Sequence, residues 1–90
     1  MIHFEQKAKL KIEQFIKSGS LPDGYHLRIA RKGSICESEF IFGFDRKNSG
    51  DELYQIESIS VLIPKADLMF LIGKEIFWQT EADEGFFGLK

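Results

Sequence analysis

The sequence predicts an α+β fold rich in β-structure, on the basis of three patterns. Apolar residues recur at helical spacing near the start of the chain, over residues 4–18. From residue 25 onward, apolar and polar residues mostly alternate, as they do in half-buried strands. A second, shorter helical pattern lies between Pro64 and Gly73. One helix, several strands, a short helix and more strands is an order typical of α+β proteins with mostly antiparallel strands.

The first helix is predicted from an apolar stripe with lysines on its other side. Four residues form the stripe: Ala8, Ile12, Phe15 and Ile16. Leu10 falls on the polar side, so we expect it to be exposed or used at an interface. The helix should end at Ser18-Gly19-Ser20, because glycine readily adopts the left-handed conformation that closes many helices.

The strands are predicted from alternation and from the turns between them. They cover residues 25–30, 40–44, 53–56, 59–63, 76–78 and 85–88. The strand 40–44 is apolar on both faces, which predicts a central position in its sheet. Glu57-Ser58 should form a tight hairpin turn, and residues 31–36 a loop. Pro64 should end one strand and begin a short helix near 65–72, which turns Leu68, Leu71 and Ile72 inward before Gly73 closes it.

The length bounds the organisation of the chain. Ninety residues leave room for one hydrophobic core, so we expect a single domain over 1–90. The predicted core consists of Ile12, Phe15, Leu27, Ile29, Phe42, Val61, Ile63, Leu71 and Ile76. A domain of this size buries a limited share of its surface, so a homodimer is an expected way to bury more.

Charge and composition exclude several classes of function. The net charge of −2 argues against a nucleic-acid domain held by phosphate contacts. No apolar stretch is long enough to span a membrane, and no basic and apolar leader opens the chain. A single cysteine suits a reducing compartment, so we expect a cytoplasmic protein. No nucleotide-binding or zinc-binding spacing occurs, and no local signature of a catalytic thiol surrounds the cysteine.

Several segments, taken in order, are similar to those of one known family. They are LRIARKGSIC (27–36), FGFD (42–45), VLIPKADLMFLIGKEIFW (61–78) and Gly85-Phe86. In order and spacing they resemble the HesB/IscA family, the A-type carriers of iron–sulfur cluster assembly. The resemblance implies a HesB-like fold of two small sheets with flanking helices. It also implies a non-enzymatic role in iron–sulfur cluster biogenesis, with assembly or recipient proteins as partners.

The resemblance implies a metal site that this sequence only partly supplies. Cys36 stands where the family has the first of its three cysteines, which makes it the expected ligand of iron or of an iron–sulfur cluster. The sequence ends at Lys90, before a Cys-Gly-Cys pair would occur, so we expect a degenerate site. Clusters normally need about four ligands. Further donors would come from a second chain, a small thiol, a partner protein, or His3, His26, Glu37 and Glu39.

Two interpretations of Cys36 stay open at this point. It is either a small apolar residue at the start of a strand or a metal-binding thiol whose thiolate Arg31 and Lys32 favour. The corresponding functions are an iron–sulfur assembly protein and a metal-free interaction module on the same fold. The module would contact its partner through Leu10, Met69 and Phe86-Phe87. A redox-sensing thiol is a third and weaker interpretation.

Overall fold

A computed structural model of the protein describes residues 2–32 and 39–90. Seven strands, one α-helix and one turn of 3₁₀-helix follow one another in the described residues. They are β1 (His3–Phe4), α1 (Gln6–Lys17), β2 (His26–Lys32), β3 (Glu39–Asp45), β4 (Asp51–Ile56), β5 (Ile59–Pro64), the 3₁₀ turn (Leu68–Phe70), β6 (Glu75–Glu81) and β7 (Glu84–Leu89). No helix among these residues is long and apolar enough to cross a membrane.

The strands form two sheets, as the family resemblance implied. One sheet has the order β1-β6-β7 and the other the order β3-β2-β5-β4. Both sheets are mixed, because β1 runs parallel to β6 and β2 runs parallel to β5, whereas the remaining pairs are antiparallel. The sequence analysis predicted neither parallel pair. Strand β1 in particular has only two residues, too few for an alternating pattern to indicate a strand.

Helix α1 packs against β6, and its buried stripe is narrower than predicted. Ala8 and Ile12 are fully buried, whereas Phe15 is 37% exposed and Ile16 is also exposed. The prediction that Phe15 belongs to the core is therefore wrong. The helix ends at the predicted place: the Ser18 amide donates to the Gln14 carbonyl at 3.0 Å, and Gly19 has a φ of +76°.

The core agrees closely with the sequence-based prediction. Seven of the nine predicted core residues are buried: Ile12, Leu27, Ile29, Val61, Ile63, Leu71 and Ile76. Besides Phe15, the exception is Phe42, which is half-buried and packs against the core from the edge of its sheet. Leu10 is exposed, as its position on the polar face of α1 predicted.

Strand β3 lies at an edge of its sheet, so the predicted central position is wrong. Its apolar residues occupy both faces, but only one face reaches the interior. Phe40, Phe42 and Phe44 are half-buried on that face, whereas Ile41 on the other face is 48% exposed. Apolar residues on both faces of β3 therefore do not mean that the strand has neighbours on both sides in its sheet.

The segment after β5 differs from the predicted short helix over 65–72. Pro64 is the last residue of β5, and a single 3₁₀ turn follows, held by i→i+3 hydrogen bonds such as that from Leu71 N–H to Leu68 O at 2.9 Å. Leu71 is buried, but Ile72 is 56% exposed, so its predicted inward orientation is wrong. Gly73 closes the segment with a φ of +83°, as predicted.

Two tight turns complete the fold. Glu57 and Ser58 connect β4 to β5 with φ values of +50° and +74°, which is the left-handed pair that a two-residue hairpin of type I′ requires. Glu81 pairs with Glu84 at the other turn, between β6 and β7. Strand β2 extends through Lys32, so the predicted loop is shorter at its beginning.

Candidate functional site

Cys36, the predicted cluster or metal ligand, lies in residues 33–38, outside the described residues. These six residues connect Lys32, the last residue of β2, to Glu39, the first residue of β3. Lys32 and Glu39 are opposite each other in the antiparallel ladder, so both ends of the connection are fixed at one end of the four-stranded sheet.

The end of β2 is anchored by Asp67, immediately before the connection begins. The Arg31 amide donates to Asp67 Oδ2 at 3.0 Å, and Arg31 Nε lies 3.7 Å from Asp67 Oδ1. The Arg31 guanidinium also lies over the Phe70 ring, 4.0 Å from its centroid. Because Asp67 is buried, these contacts join β2 firmly to the 3₁₀ turn. The sequence analysis did not predict this role of Asp67, because nothing in the sequence near Asp67 indicates that Arg31 is its partner.

A second buried ion pair stiffens the centre of the same sheet. Arg28 donates from Nε and Nη2 to the two carboxylate oxygens of Asp51, each at 3.1 Å. The Asn48 amide donates to Asp51 Oδ2 at 2.9 Å. The hydrogen bonds from Arg28 lower the pKa of Asp51, while the same bonds raise the pKa of Arg28. This pair connects β2 to the start of β4 across β5.

The predicted supplementary donors are not brought together. His26 faces Asp45 at one end of the β2–β3 ladder and Glu39 is at the other end, about 20 Å away for a strand of this length. His3 lies in the other sheet, with Nδ1 3.8 Å from Glu57 Oε1. Glu37 lies outside the described residues. Across the described ranges, no group of three or more His, Cys, Asp or Glu side chains is arranged to hold a metal ion.

The donor chemistry of one chain therefore does not fit a complete iron–sulfur cluster. Clusters are held by about four ligands, usually thiolates, and the 90 residues contain one cysteine. The carboxylates and imidazoles of the described residues are dispersed over both sheets and cannot make up the difference. Any cluster would need donors from outside a single copy of this chain.

A groove of about 590 Å³ lies between the open edges of the two sheets. This aromatic groove is lined by Phe15, Lys32, Glu39, Phe40, Ile41, Phe42, Gly43, Phe44, Trp78, Gly85, Phe86 and Phe87. Its rings contact one another closely, with centroids 4.7 Å apart for Trp78 and Phe87 and 5.9 Å apart for Phe42 and Phe87. One end of the groove is formed by Lys32 and Glu39, the residues that flank the connection bearing Cys36.

The groove explains the positions of Phe15 and Phe42, the two aromatic residues that the sequence predicted to lie in the core. Phe15 closes it from α1, with its ring centroid 5.5 Å from that of Phe44. Phe86, which also lines the groove, is exposed, in agreement with its prediction as a surface residue. Among the other predicted contact residues, Met69 is exposed on the 3₁₀ turn and Leu10 on α1, away from this groove.

Comparison with known proteins gives matches of structure but not of sequence. No protein-family model and no curated protein matches the sequence. The structure of Escherichia coli SufA, involved in biosynthesis of iron–sulfur clusters, matches with a TM-score of 0.75 and 15% identity, covering 99% of this chain and 83% of SufA. The structure of IscA with a [2Fe-2S] cluster matches with a TM-score of 0.69 and 17% identity, covering 100% of this chain and 81% of IscA.

A third structure extends the comparison. A protein from Aquifex aeolicus, solved by solution NMR, matches with a TM-score of 0.65 and 16% identity, covering 99% of this chain and 89% of that protein. All three similarities extend over essentially the whole of this chain, and at these identities they establish the fold. The chain has the HesB/IscA fold, two small sheets with an N-terminal helix, that its sequence predicted.

Proposed function

We propose that this chain is a non-enzymatic protein of iron–sulfur cluster assembly. The observation that supports the proposal is the similarity of fold over 99–100% of the chain to SufA and to IscA with its [2Fe-2S] cluster. In this role the cluster or its iron is cargo. Cys36 contributes one thiolate to it, and the remaining ligands come from a second copy, a small thiol or a protein of the assembly system.

The location of Cys36 in the sequence supports the same role. It lies in a short connection whose two ends, Lys32 and Glu39, are paired at one end of the sheet, and Asp67 fixes the residue before Lys32. We infer that cargo is transferred at this end of the sheet, where both strand ends are fixed. A lone thiol also stays reduced in the cytoplasm, where we expect the protein to act.

Anaerobic reconstitution tests the proposal directly. The purified chain is incubated with iron, sulfide and glutathione, and cluster formation is followed by visible absorption and by iron and sulfide content. We expect uptake by the wild type and loss of uptake in Cys36→Ser, because a hydroxyl is a poor ligand of iron–sulfur clusters. His26→Asn is the matched control, since His26 is a potential donor that lies far from the connection.

The outcomes separate the interpretations of Cys36. Equal uptake by wild type and Cys36→Ser would show that the assignment of Cys36 is wrong. Absence of uptake by both, with thermal unfolding unchanged, would remove the support for a cluster carrier. It would favour the second candidate, a metal-free interaction module, which the exposed aromatic groove supports independently.

A further inference from the structure

Strand β3 has one edge that carries no strand in the described part of the chain. In the order β3-β2-β5-β4 it pairs with β2 over all seven of its residues, from Glu39 to Asp45. Among the described residues, no hydrogen bond reaches the backbone N–H and C=O groups of its other edge. Such an edge is a ready template for a further strand, and many peptide-binding domains use one in this way.

The aromatic groove wraps around this open edge. Phe40, Phe42 and Phe44 line it from one face of β3, while Glu39, Ile41 and Gly43 line it from the other. The groove therefore follows β3 from Glu39 to Phe44, over nearly the whole strand. Trp78 and Phe87 form the opposite wall, from the other sheet. A strand added to β3 would therefore place alternate side chains against aromatic rings.

The surroundings of the groove carry exposed negative charge. Five carboxylates flank it, two at the ends of β3 and three at the turn that precedes Gly85: Glu39, Asp45, Glu81, Asp83 and Glu84. In the described ranges none of the five lies within 4.0 Å of a basic group. Positive charges also lie nearby: Lys32 is opposite Glu39 in the ladder, Arg46 and Lys47 directly follow Asp45, and Lys11 lies over the Trp78 ring at 5.1 Å.

The carboxylates at the two ends of β3 disfavour a second copy of the chain as the occupant. If two β3 strands paired in antiparallel fashion along their full length, Glu39 of one copy would face Asp45 of the other at both ends. Like charges placed directly opposite each other destabilise a pair of strands. A segment with basic residues at both ends would instead complement the two carboxylates.

We propose that the open edge of β3 binds an extended, apolar peptide segment of a partner protein, flanked by basic residues, as an added strand. Main-chain hydrogen bonds to β3 hold the segment, its alternate side chains enter the aromatic groove, and its basic ends face Glu39 and Asp45. The site needs neither Cys36 nor iron, so its test is independent of the proposed role in cluster assembly.

The single tryptophan, Trp78, provides the readout, because it lines the groove. The probe is a short synthetic peptide with alternating Val and Phe and two lysines at each end, and its counterpart has glutamates in place of the lysines. We expect a saturable change in Trp78 fluorescence with the lysine peptide. We expect the glutamate peptide to bind at least about tenfold more weakly.

Two further measurements test the added strand and its charges. Peptides N-methylated at even or at odd positions can no longer donate hydrogen bonds along one edge, so one pattern should abolish binding and the other should leave it. Glu39→Lys combined with Asp45→Lys should reverse the preference toward the glutamate peptide. Glu52→Lys, on β4 at the opposite edge of the sheet, is the matched control and should leave binding unchanged.

Four results would overturn the proposal. The first two are that neither peptide changes the Trp78 fluorescence and that both peptides bind equally. The third is that both N-methylated peptides bind as well as the parent, which would mean that no strand is added. The fourth is that sedimentation shows a dimer that the peptide dissociates, which would make a second copy the natural occupant of the edge.

Discussion

Asp51 is the residue whose environment departs most from that of an ordinary surface carboxylate. It is 2% exposed, and three N–H groups donate to its oxygens, two from Arg28 and one from the Asn48 backbone. The hydrogen bonds from Arg28 hold its pKa below the ordinary value, and the bond from Asn48 adds to this effect. A carboxylate held in this way joins three parts of the chain, and its charge strengthens all three contacts.

We predict that Asp51→Asn lowers the free energy of unfolding by about 2–4 kcal/mol at pH 7, because it leaves the guanidinium of Arg28 without its buried partner. Urea denaturation measures the change. Glu52→Gln is the matched control and should cost less than about 1 kcal/mol, since the Lys65–Glu52 pair at 3.5 Å is exposed. Equal losses in the two variants would contradict this account of Asp51.

The same pair gives a pH dependence with a defined sign. Because the pKa of Asp51 is lower in the folded than in the unfolded chain, its contribution to stability is fully present above the unfolded pKa, about 4. The contribution is lost as the pH falls from there through the folded pKa. The difference in free energy of unfolding between the wild type and Asp51→Asn should therefore become smaller as the solution is acidified. The same urea series at decreasing pH would show this.

At the scale of elements, the β6–β7 hairpin depends on glycines over which aromatic rings lie. A Cβ atom added at Gly85 would overlap the six-membered ring of Trp78, and one at Gly88 would overlap Phe77. Gly43 on β3 has no atom within 4 Å of the corresponding position. Gly85 and Gly43 both lie in strands, but only Gly85 has an aromatic ring over its α-carbon.

We predict that Gly85→Ala destabilises the protein by about 1–3 kcal/mol and shifts the emission of Trp78, because the indole must move away from β7. Gly43→Ala should be neutral or slightly stabilising, since the added methyl group meets open space and alanine loses less backbone entropy on folding. Thermal unfolding and the fluorescence spectrum check both. An unchanged Trp78 spectrum in Gly85→Ala would show that the ring does not lie over this glycine.

Local periodicity predicted the elements that depend on local patterns and missed those that depend on partners. The helix, the Glu57-Ser58 hairpin and most of the core follow from spacing and turn chemistry. Periodicity places Phe15 on the same face as Ile12. Strands β3 and β7 do not cover its ring, however, so Phe15 closes a groove instead of joining the core. No pattern within β3 reveals that its second neighbour is missing. The Arg31–Asp67 contact joins residues 36 positions apart and has no local signature.

At the scale of the whole molecule, the two sheets meet along an aromatic groove whose end reaches the connection that bears Cys36. The groove offers apolar surface and an open strand edge, and the connection offers one thiol. The fold is therefore better suited to holding a second molecule than to holding a cluster within one copy. Donors for a cluster have to arrive with that second molecule, whether a protein or a small thiol.

This requirement predicts how cluster uptake depends on protein concentration. A cluster needs about four ligands and one chain supplies one thiol, so without added thiol each cluster must be shared between copies. Far below saturation, a tenfold increase in protein concentration should then raise the clustered fraction about tenfold if two copies share the cluster, and more steeply if more copies do. Glutathione supplies the missing donors, so it should weaken this dependence and let monomers take up cluster.

Visible absorption per chain, measured over a dilution series with iron and sulfide in constant excess, checks the concentration dependence. Anaerobic light scattering on the same samples should show an increase in molar mass that accompanies the absorption, and Cys36→Ser should show neither. A clustered fraction that is independent of concentration, carried by monomers without added thiol, would mean that the described side chains supply donors after all. Since His26 and Glu39 lie at opposite ends of one ladder, such a result would require the strands themselves to rearrange.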